Sequence, residues 1–255
     1  MYRHASTKPH TLVAGTAAMN AITVVMATRN AAAFVEEALQ SIAIQRTSPL
    51  VDSLRLLVID AASTDGTQEL VNQIEFATLQ QQRGQGLWQA WNQGIKQVNT
   101  PWIAMLDSDD RWEPGALSAH LDAMATQPEA LVSIGRTRFV LDGSELPRGI
   151  RPALLQGIHR GPIPGATLFR AEVFEQLGLF DPANSTASDV AWFARLRQEG
   201  IASAEPEALV LTKRIHSRNL SSALARESQY DKDLLAIARA SIERQRLQQG
   251  QRRPS

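Results

Sequence analysis

Residues 102–110 read Trp102-Ile103-Ala104-Met105-Leu106-Asp107-Ser108-Asp109-Asp110, five apolar residues that run straight into a carboxylate cluster. A short apolar run without helical spacing is the pattern of a strand buried on both faces. Two upstream segments share it. Ala21-Ile22-Thr23-Val24-Val25-Met26-Ala27-Thr28 is β-branched and gives way to Arg29-Asn30, and the run Leu54 to Ile59 stops at Asp60. Helical spacing follows each strand. Phe34, Val35, Ala38, Leu39 and Ile42 form one apolar stripe with Asn30 as its cap, and Leu70, Val71 and Ile74 form another behind Asp65-Gly66. Leu79 marks a short third strand, residues 87–98 a helix with Trp88, Trp91 and Ile95, and Pro114 the first turn of a helix reaching about Gln127. Strand–helix alternation predicts an α/β fold, with a Rossmann-like, mainly parallel central sheet flanked by helices. Ligands of such sheets bind at the carboxyl ends of the strands. Thr28-Arg29-Asn30, Asp60 and the 107–110 cluster all fall there, and their convergence marks the candidate site.

The second half is less regular. Leu131 to Val140 reads as one strand bent at Gly135, and residues 142–165, rich in Gly, Pro and Arg, read as loop. Val173 to Leu177 and Asp189 to Gln198 read as helices, the latter with Val190, Phe193, Ala194 and Leu196 on its apolar face. Ala208 to Leu211 reads as a strand, and residues 223–248 as a charge-rich helix before a basic tail.

Composition narrows the function. The chain has 255 residues, 26 basic and 26 acidic, so its formal net charge is zero, unlike the basic excess of a nucleic-acid binder. It has no cysteine, which excludes disulfides, thiolate nucleophiles, iron–sulfur clusters and Cys-ligated zinc. Only four of the basic residues are Lys; the Arg majority suits bidentate binding of phosphate and carboxylate. No apolar run reaches the ~20 residues that span a bilayer. Arg3, His4 and Lys8 before Thr11 to Met19 loosely imitate a secretory leader, but that stretch is rich in Ala, Gly and Thr and has no Leu-rich centre. The expectation is a flexible extension over 1–20 and a cytoplasmic protein.

The acidic cluster has a chemical logic. Carboxylates at i and i+2 beyond a strand end can point into one cleft, and hard oxygen ligands hold Mg2+ or Mn2+ through one or two carboxylates plus substrate phosphates. A surface turn would use the same residues. Asp60, at the end of a buried strand, calls for a ligand or donor partner, whereas Asp65 reads equally well as a helix cap.

Taken in order, the motifs resemble those of family 2 glycosyltransferases of the GT-A fold, inverting and of the bacterial type. The resemblance covers roughly residues 20–222. It rests on Val24 to Asn30, Asp60 to Thr67, Gly86-Leu87-Trp88-Gln89-Ala90-Trp91-Asn92-Gln93-Gly94-Ile95, Leu106-Asp107-Ser108-Asp109-Asp110, Gly165-Ala166-Thr167-Leu168-Phe169-Arg170, and Ser188-Asp189 before a helix. It implies inverting, metal-dependent transfer of a sugar from a nucleotide-diphosphate sugar, a UDP-sugar, to a glycan or lipid-linked acceptor in polysaccharide or glycan biosynthesis. The domain would span 21–222, with a nucleotide-sugar half over 21–112 and an acceptor half over 113–222, before a helix and basic tail over 223–255. Ala27, Thr28, Arg29, Asn30, Asp60, Gly86, Asn92, Asp107 and Ser108 would line the donor pocket, with Asp60 on the base and Asp107 facing the ribose. Asp109 and His216 would hold Mn2+ or Mg2+, and Asp189 would be the catalytic base. Trp112, Gly165, Ala166, Thr167 and Asp189 would meet the acceptor, Trp112 and Trp192 as stacking platforms. Trp88, Trp91 and Trp102 suit the core better.

Three departures from the family pattern stand out. Asp60-Ala61-Ala62-Ser63 replaces Asp-Asp-Gly-Ser or Asp-Gly-Gly-Ser, Gly84 stands where an Asp is common, and Ser188-Asp189 replaces Glu-Asp. The first two fall near the expected nucleobase pocket. A phosphohydrolase with a strand-end nucleophile lacks its constellation here, since the first strand ends in Thr-Arg-Asn and Asp110 is followed by Arg111. A non-catalytic sugar-nucleotide or protein-binding module on the same fold is the alternative. From Arg226 to Arg253 seven basic residues face four acidic ones. That stretch suits docking on the domain, pairing into a homodimer, or peripheral contact with the inner face of an anionic membrane.

Overall fold

The computed structural model describes residues 19–143, 145–147, 150–181 and 187–216. The expected N-terminal extension up to residue 18 and the C-terminal helix and tail lie outside the described residues. A seven-stranded sheet is built from β1 (Ala21–Thr28), β2 (Ser53–Asp60), β3 (Ala77–Gln81), β4 (Trp102–Met105), β6 (Val132–Ile134), β9 (Thr167–Arg170) and β10 (Ser203–Ala204). Its order is β10-β6-β9-β4-β1-β2-β3. Only β9 runs antiparallel to its neighbours. A second sheet, ordered β5-β11-β7-β8, comprises β5 (Arg111–Trp112), β7 (Arg136–Leu141), β8 (His159–Arg160) and β11 (Leu209–Ile215). The helices are α1 (Val35–Gln45), α2 (Thr67–Asn72), α3 (Leu87–Ile95), α4 (Ala116–Thr126), α5 (Glu172–Leu177) and α6 (Ser188–Gln198).

The apolar runs are continuous because β1 is covered on both faces. Ile22, Val24 and Met26 pack with α1 and α4, while Val25 joins Leu57, Ile59, Trp88 and Trp91 on the other side. Parallel register sets Thr28 beside Asp60, so β1 and β2 finish level, and Val25 beside Met105, so the 107–110 cluster follows β4 close to the same edge. Gly94 lets α3 approach β1 closely, since a Cβ there would stand 2.3 Å from Val25 Cγ1.

Several expectations need correction. Asn30 does not cap α1, which starts at Val35. It lies at φ 50 and ties the loop after β1 to the loop after β2, through Asn30 N to Ser63 Oγ (2.8 Å) and Thr64 N to Asn30 Oδ1 (2.9 Å). Residues 131–140 are two strands in two sheets, not one bent strand. The break is Gly135, whose Cβ position lies 2.4 Å from Val210 Cγ2, so only glycine lets the chain cross between the sheets there. The 142–165 segment holds β8 and 3-10 turns at Pro152–Leu155 and Pro164–Ala166. β11 runs four residues past Leu211, far enough to carry His216 to the site.

No helix among the described residues is long and apolar enough to cross a membrane. Two consequences of the packing are measurable. Gly135→Ala should cost about 1–3 kcal/mol in urea denaturation, as overpacking does. His120 of α4 is buried against Ser133 (Nδ1 to Oγ 2.8 Å), and burial pushes its pKa down to about 3. The unfolded chain therefore takes up a proton that the fold refuses. Stability should fall as pH drops below 6.5, by up to about 1.4 kcal/mol per unit from this residue, and His120→Gln should flatten that slope.

Candidate active site

The sheet's carboxyl edge gathers the expected carboxylates, but commits them unequally. Asp60 is buried at the end of β2, and its own loop already uses both oxygens. Ser63 Oγ donates to Oδ1, while Ser63 N (2.9 Å) and Gln68 Nε2 (2.7 Å) donate to Oδ2. A cavity of about 340 Å³ opens beside it, lined by Ala62, Ser63, Gln68 and Leu79 among others. Asp65 sits at the start of α2, bonded to Thr67 N and to Ala32 N.

Beyond β4, ligand oxygens of Asp107, Asp109 and Asp110 lie within 4.8 Å of one another. Asp110 is 1% exposed. Its Oδ2 accepts from Lys213 Nζ at 2.7 Å and its Oδ1 from Arg214 N at 2.8 Å. Burial raises its pKa to about 7, against the pull of Lys213. Both its oxygens nonetheless face obligate donors, so the ionised form is the one the geometry fits. Lys213 Nζ also reaches Asp107 Oδ2 at 3.0 Å. Burial alone would lower the Lys213 pKa, but Asp110, Asp107 and Asp109 hold it well above the ordinary value.

Asp109 faces His216, with Nε2 3.1 Å from Oδ2. Burial opposes its ionisation, yet the His216 contact and the Lys213 charge outweigh that and lower its pKa. His216 is held in turn by Phe34, stacked on it at 4.4 Å and 14°. Arg214 lies over the Phe34 ring at 5.1 Å, donates to Asp109 O (3.0 Å) and pairs with Glu37 (2.8 Å).

Asp189 stands in the first turn of α6. Burial raises its pKa, Val190 N–H draws it back, and the charge of Asp107 raises it again. Asp189 thus shares one electrostatic environment with Asp107 and Lys213. Two nearby hydroxyls, Thr28 Oγ1 at the end of β1 and Ser188 Oγ beside Asp189, are buried without a hydrogen-bond partner. Ala27 is buried, Arg29 and Asn30 are exposed, and Ser108 is half-buried between the aspartates. Gly86, exposed at φ 89, opens α3.

Other expected site residues are structural here. Asn92 is buried and clamps the chain at Phe180, through Nδ2 to Phe180 O (2.7 Å) and Phe180 N to Oδ1 (3.1 Å). Its amide is spent on backbone rather than turned to a donor. Trp112 is buried, with Nε1 on Gly165 O at 2.7 Å, and Trp192 is wholly enclosed among Phe169, Phe174 and Phe180. Neither ring offers a stacking face. Gly165, Ala166 and Thr167 are buried under β4 and β11, and Thr167 Oγ1 donates to Ile163 O. Sequence reasoning missed Lys213, Phe34 and Glu37. The available signal for Lys213 was its rarity, as one of four lysines in the chain.

Comparison with known proteins gives this architecture its relatives. Residues 23–198 match the family described as Glycosyl transferase family 2. A Bacillus subtilis (strain 168) protein assigned as teichuronic acid biosynthesis glycosyltransferase TuaG is 25% identical over 134 residues, 51% of this chain and 52% of that protein. The chain therefore spans about half the length of that relative. Among solved structures, S. aureus TarS 1-349 with UDP-GlcNAc superposes with a TM-score of 0.66 at 15% identity, over 86% of this chain and 65% of that one. The mannosyltransferase PcManGT from Pyrobaculum calidifontis, with GDP-Man and Mn2+, gives 0.63 at 22%, over 86% and 64%. Glucosyl-3-phosphoglycerate synthase from Mycobacterium tuberculosis, with Mn2+, UDP and glucosyl-3-phosphoglycerate, gives 0.61 at 18%, over 91% and 86%. At these identities the likeness speaks for the fold, which is the GT-A fold.

The ion pair at the centre of the site has a stability signature. Asp110→Ala leaves Lys213 without its buried partner and should cost about 3–5 kcal/mol. Asp110→Asn with Lys213→Met removes both charges and should cost less, as paired denaturation curves would show.

Proposed function

Because the chain belongs to glycosyl transferase family 2, we propose that it transfers a sugar from a UDP-sugar to an acceptor hydroxyl, with inversion and with a divalent metal. The product is a cell-wall or other surface glycan, and the acceptor is a glycan or a lipid-linked precursor met at the cytoplasmic face of the membrane. The observation that supports this reading is the Asp107, Asp109 and Asp110 cluster, its oxygens within 4.8 Å of one another just beyond β4, with Asp189 in the field of Asp107.

An acceptor hydroxyl is a poor nucleophile until a base takes its proton during attack. In this reading Asp189 takes it as the oxygen bonds to the anomeric carbon, from the face opposite the diphosphate. The bond from that carbon to the diphosphate oxygen breaks, and the configuration inverts. Thr28, Asp60 and the loops around them bind the nucleotide. Asp60 has a lone-pair direction left for one more donor beyond Ser63 and Gln68. The unpartnered Thr28 hydroxyl supports a ligand in that place.

The residues present fit a divalent cation. Asp109 keeps its charge, and His216 offers a nitrogen 3.1 Å from the carboxylate. Oxygen and imidazole ligands without thiolate suit Mn2+ or Mg2+. Asp109 and His216 would hold the ion, with Asp107 beside it, and Asp110 is already consumed by β11. When bound, it stabilises charge on the leaving diphosphate. UDP-ligated and GDP-ligated relatives both exist, so a panel of donors tests the base.

With Mn2+ and the right nucleotide sugar, the protein should release nucleoside diphosphate slowly without acceptor, and Asp109→Ala should abolish that release. Nucleotide binding without release or transfer would instead identify a binding module. Because Asp189 works deprotonated and its pKa lies above the ordinary 3.8, transfer should fall as pH drops through that raised value. Asp189→Asn should lower kcat by about 10²–10⁴ and remove the acid limb. A variant with normal transfer and the same pH profile would exclude the base role.

A further inference from the structure

Lys213 is unlike the other cations of the site. Arg214 is tied to Glu37, Asp142 and the Asp109 carbonyl, and so is committed to the frame. The Lys213 ammonium has three N–H donors. Asp110 takes one at 2.7 Å and Asp107 a second at 3.0 Å. Its two anchors differ in exposure. The Asp110 side chain is 1% exposed, whereas those of Lys213 and Asp107 keep 21% and 28%. The ammonium is therefore gripped from the interior by Asp110 and shared with the half-buried Asp107, and those two bonds use two of its three donors.

Its position overlaps the cation site. Oxygens of Asp107, Asp109 and Asp110 crowd within 4.8 Å, and Lys213 already touches two of these residues. A divalent ion there has few protein ligands left and depends on phosphate oxygens to complete its shell. A fixed ammonium beside it meets the same anion at no cost in reorganisation.

We infer that Lys213 is a ligand of the donor's diphosphate: a resident ammonium that hydrogen-bonds a phosphate oxygen and carries part of the positive charge the leaving group needs. This rests on the reading of the cleft as a nucleotide-sugar site. A purely structural Lys213 would only staple β11 to the loop after β4, and binding measurements on the full chain separate the two roles.

The experiment is calorimetric titration with UDP, once in EDTA and once with Mn2+. The native protein should keep measurable UDP binding in EDTA. Lys213→Met together with Asp110→Asn, which leaves no buried charge unpaired, should lose at least about 10-fold of that binding while its melting transition stays cooperative. Asp110→Asn alone, which retains the ammonium, should keep most of it. A folded double variant that binds UDP in EDTA as tightly as the native protein overturns the inference. So does a native protein that binds UDP only with Mn2+. A native protein that binds neither UDP nor GDP under either condition overturns the donor reading, and this inference with it.

Discussion

The Asp110 carboxylate is almost wholly shut off from water, and a charge so placed costs several kcal/mol unless it is paired and hydrogen-bonded. Both its partners come from one strand about a hundred residues later, Lys213 Nζ and Arg214 N of β11. The main sheet ends at Met105, and the chain enters the second sheet at Arg111. Asp110 lies at that junction, so its bonds fasten β11 to the carboxyl edge of the main sheet. The rest of the site is a consequence. Arg214 reaches the Asp109 carbonyl and lies over Phe34, Phe34 stacks on His216, and His216 meets Asp109. Without the clasp, a histidine at residue 216 has no reason to face an aspartate at residue 109.

The first half of the fold was legible because β1, β4 and most of β2 are buried on both faces. They therefore read as mainly apolar runs, and the helices between them show a clean 3.6-residue stripe. Parallel topology then places their ends together, so Thr28, Asp60 and Asp107 could be grouped from sequence alone. The second sheet was not legible. β5, β8 and β10 have two residues each, too few for any period, and β11 continues past its apolar start through Thr212-Lys213-Arg214 to Ile215, where no apolar pattern marks a strand. Gly135 signalled a bend, but not that the chain leaves one sheet for another.

Side-chain type misled where long-range partners decide. Asn92 and Trp112 are polar-tipped residues near the right motifs, and the motifs place Asn92 with the donor and Trp112 with the acceptor. Their partners are the backbone at Phe180 and at Gly165, 88 and 53 residues away, and no local pattern announces such contacts. Trp192 sits beside Asp189 in a charged helix, yet the aromatic cluster around Phe169 encloses it.

The aspartates show how one residue type takes different roles. Asp60 and Asp110 have their oxygens filled by protein donors, so they shape a loop and fasten a strand before any ligand arrives. Asp109 and Asp189 are both opposed in their ionisation by burial. Their neighbours then set opposite outcomes. Asp109 lies against His216 and near Lys213, and these lower its pKa despite burial. Asp189 has Asp107 as its main charged neighbour, so burial and like charge act together to raise its pKa. The carboxylates are pushed apart in pKa by which charge stands beside each, and under the proposed function that separation would let one cleft hold a cation and accept a proton at the same pH.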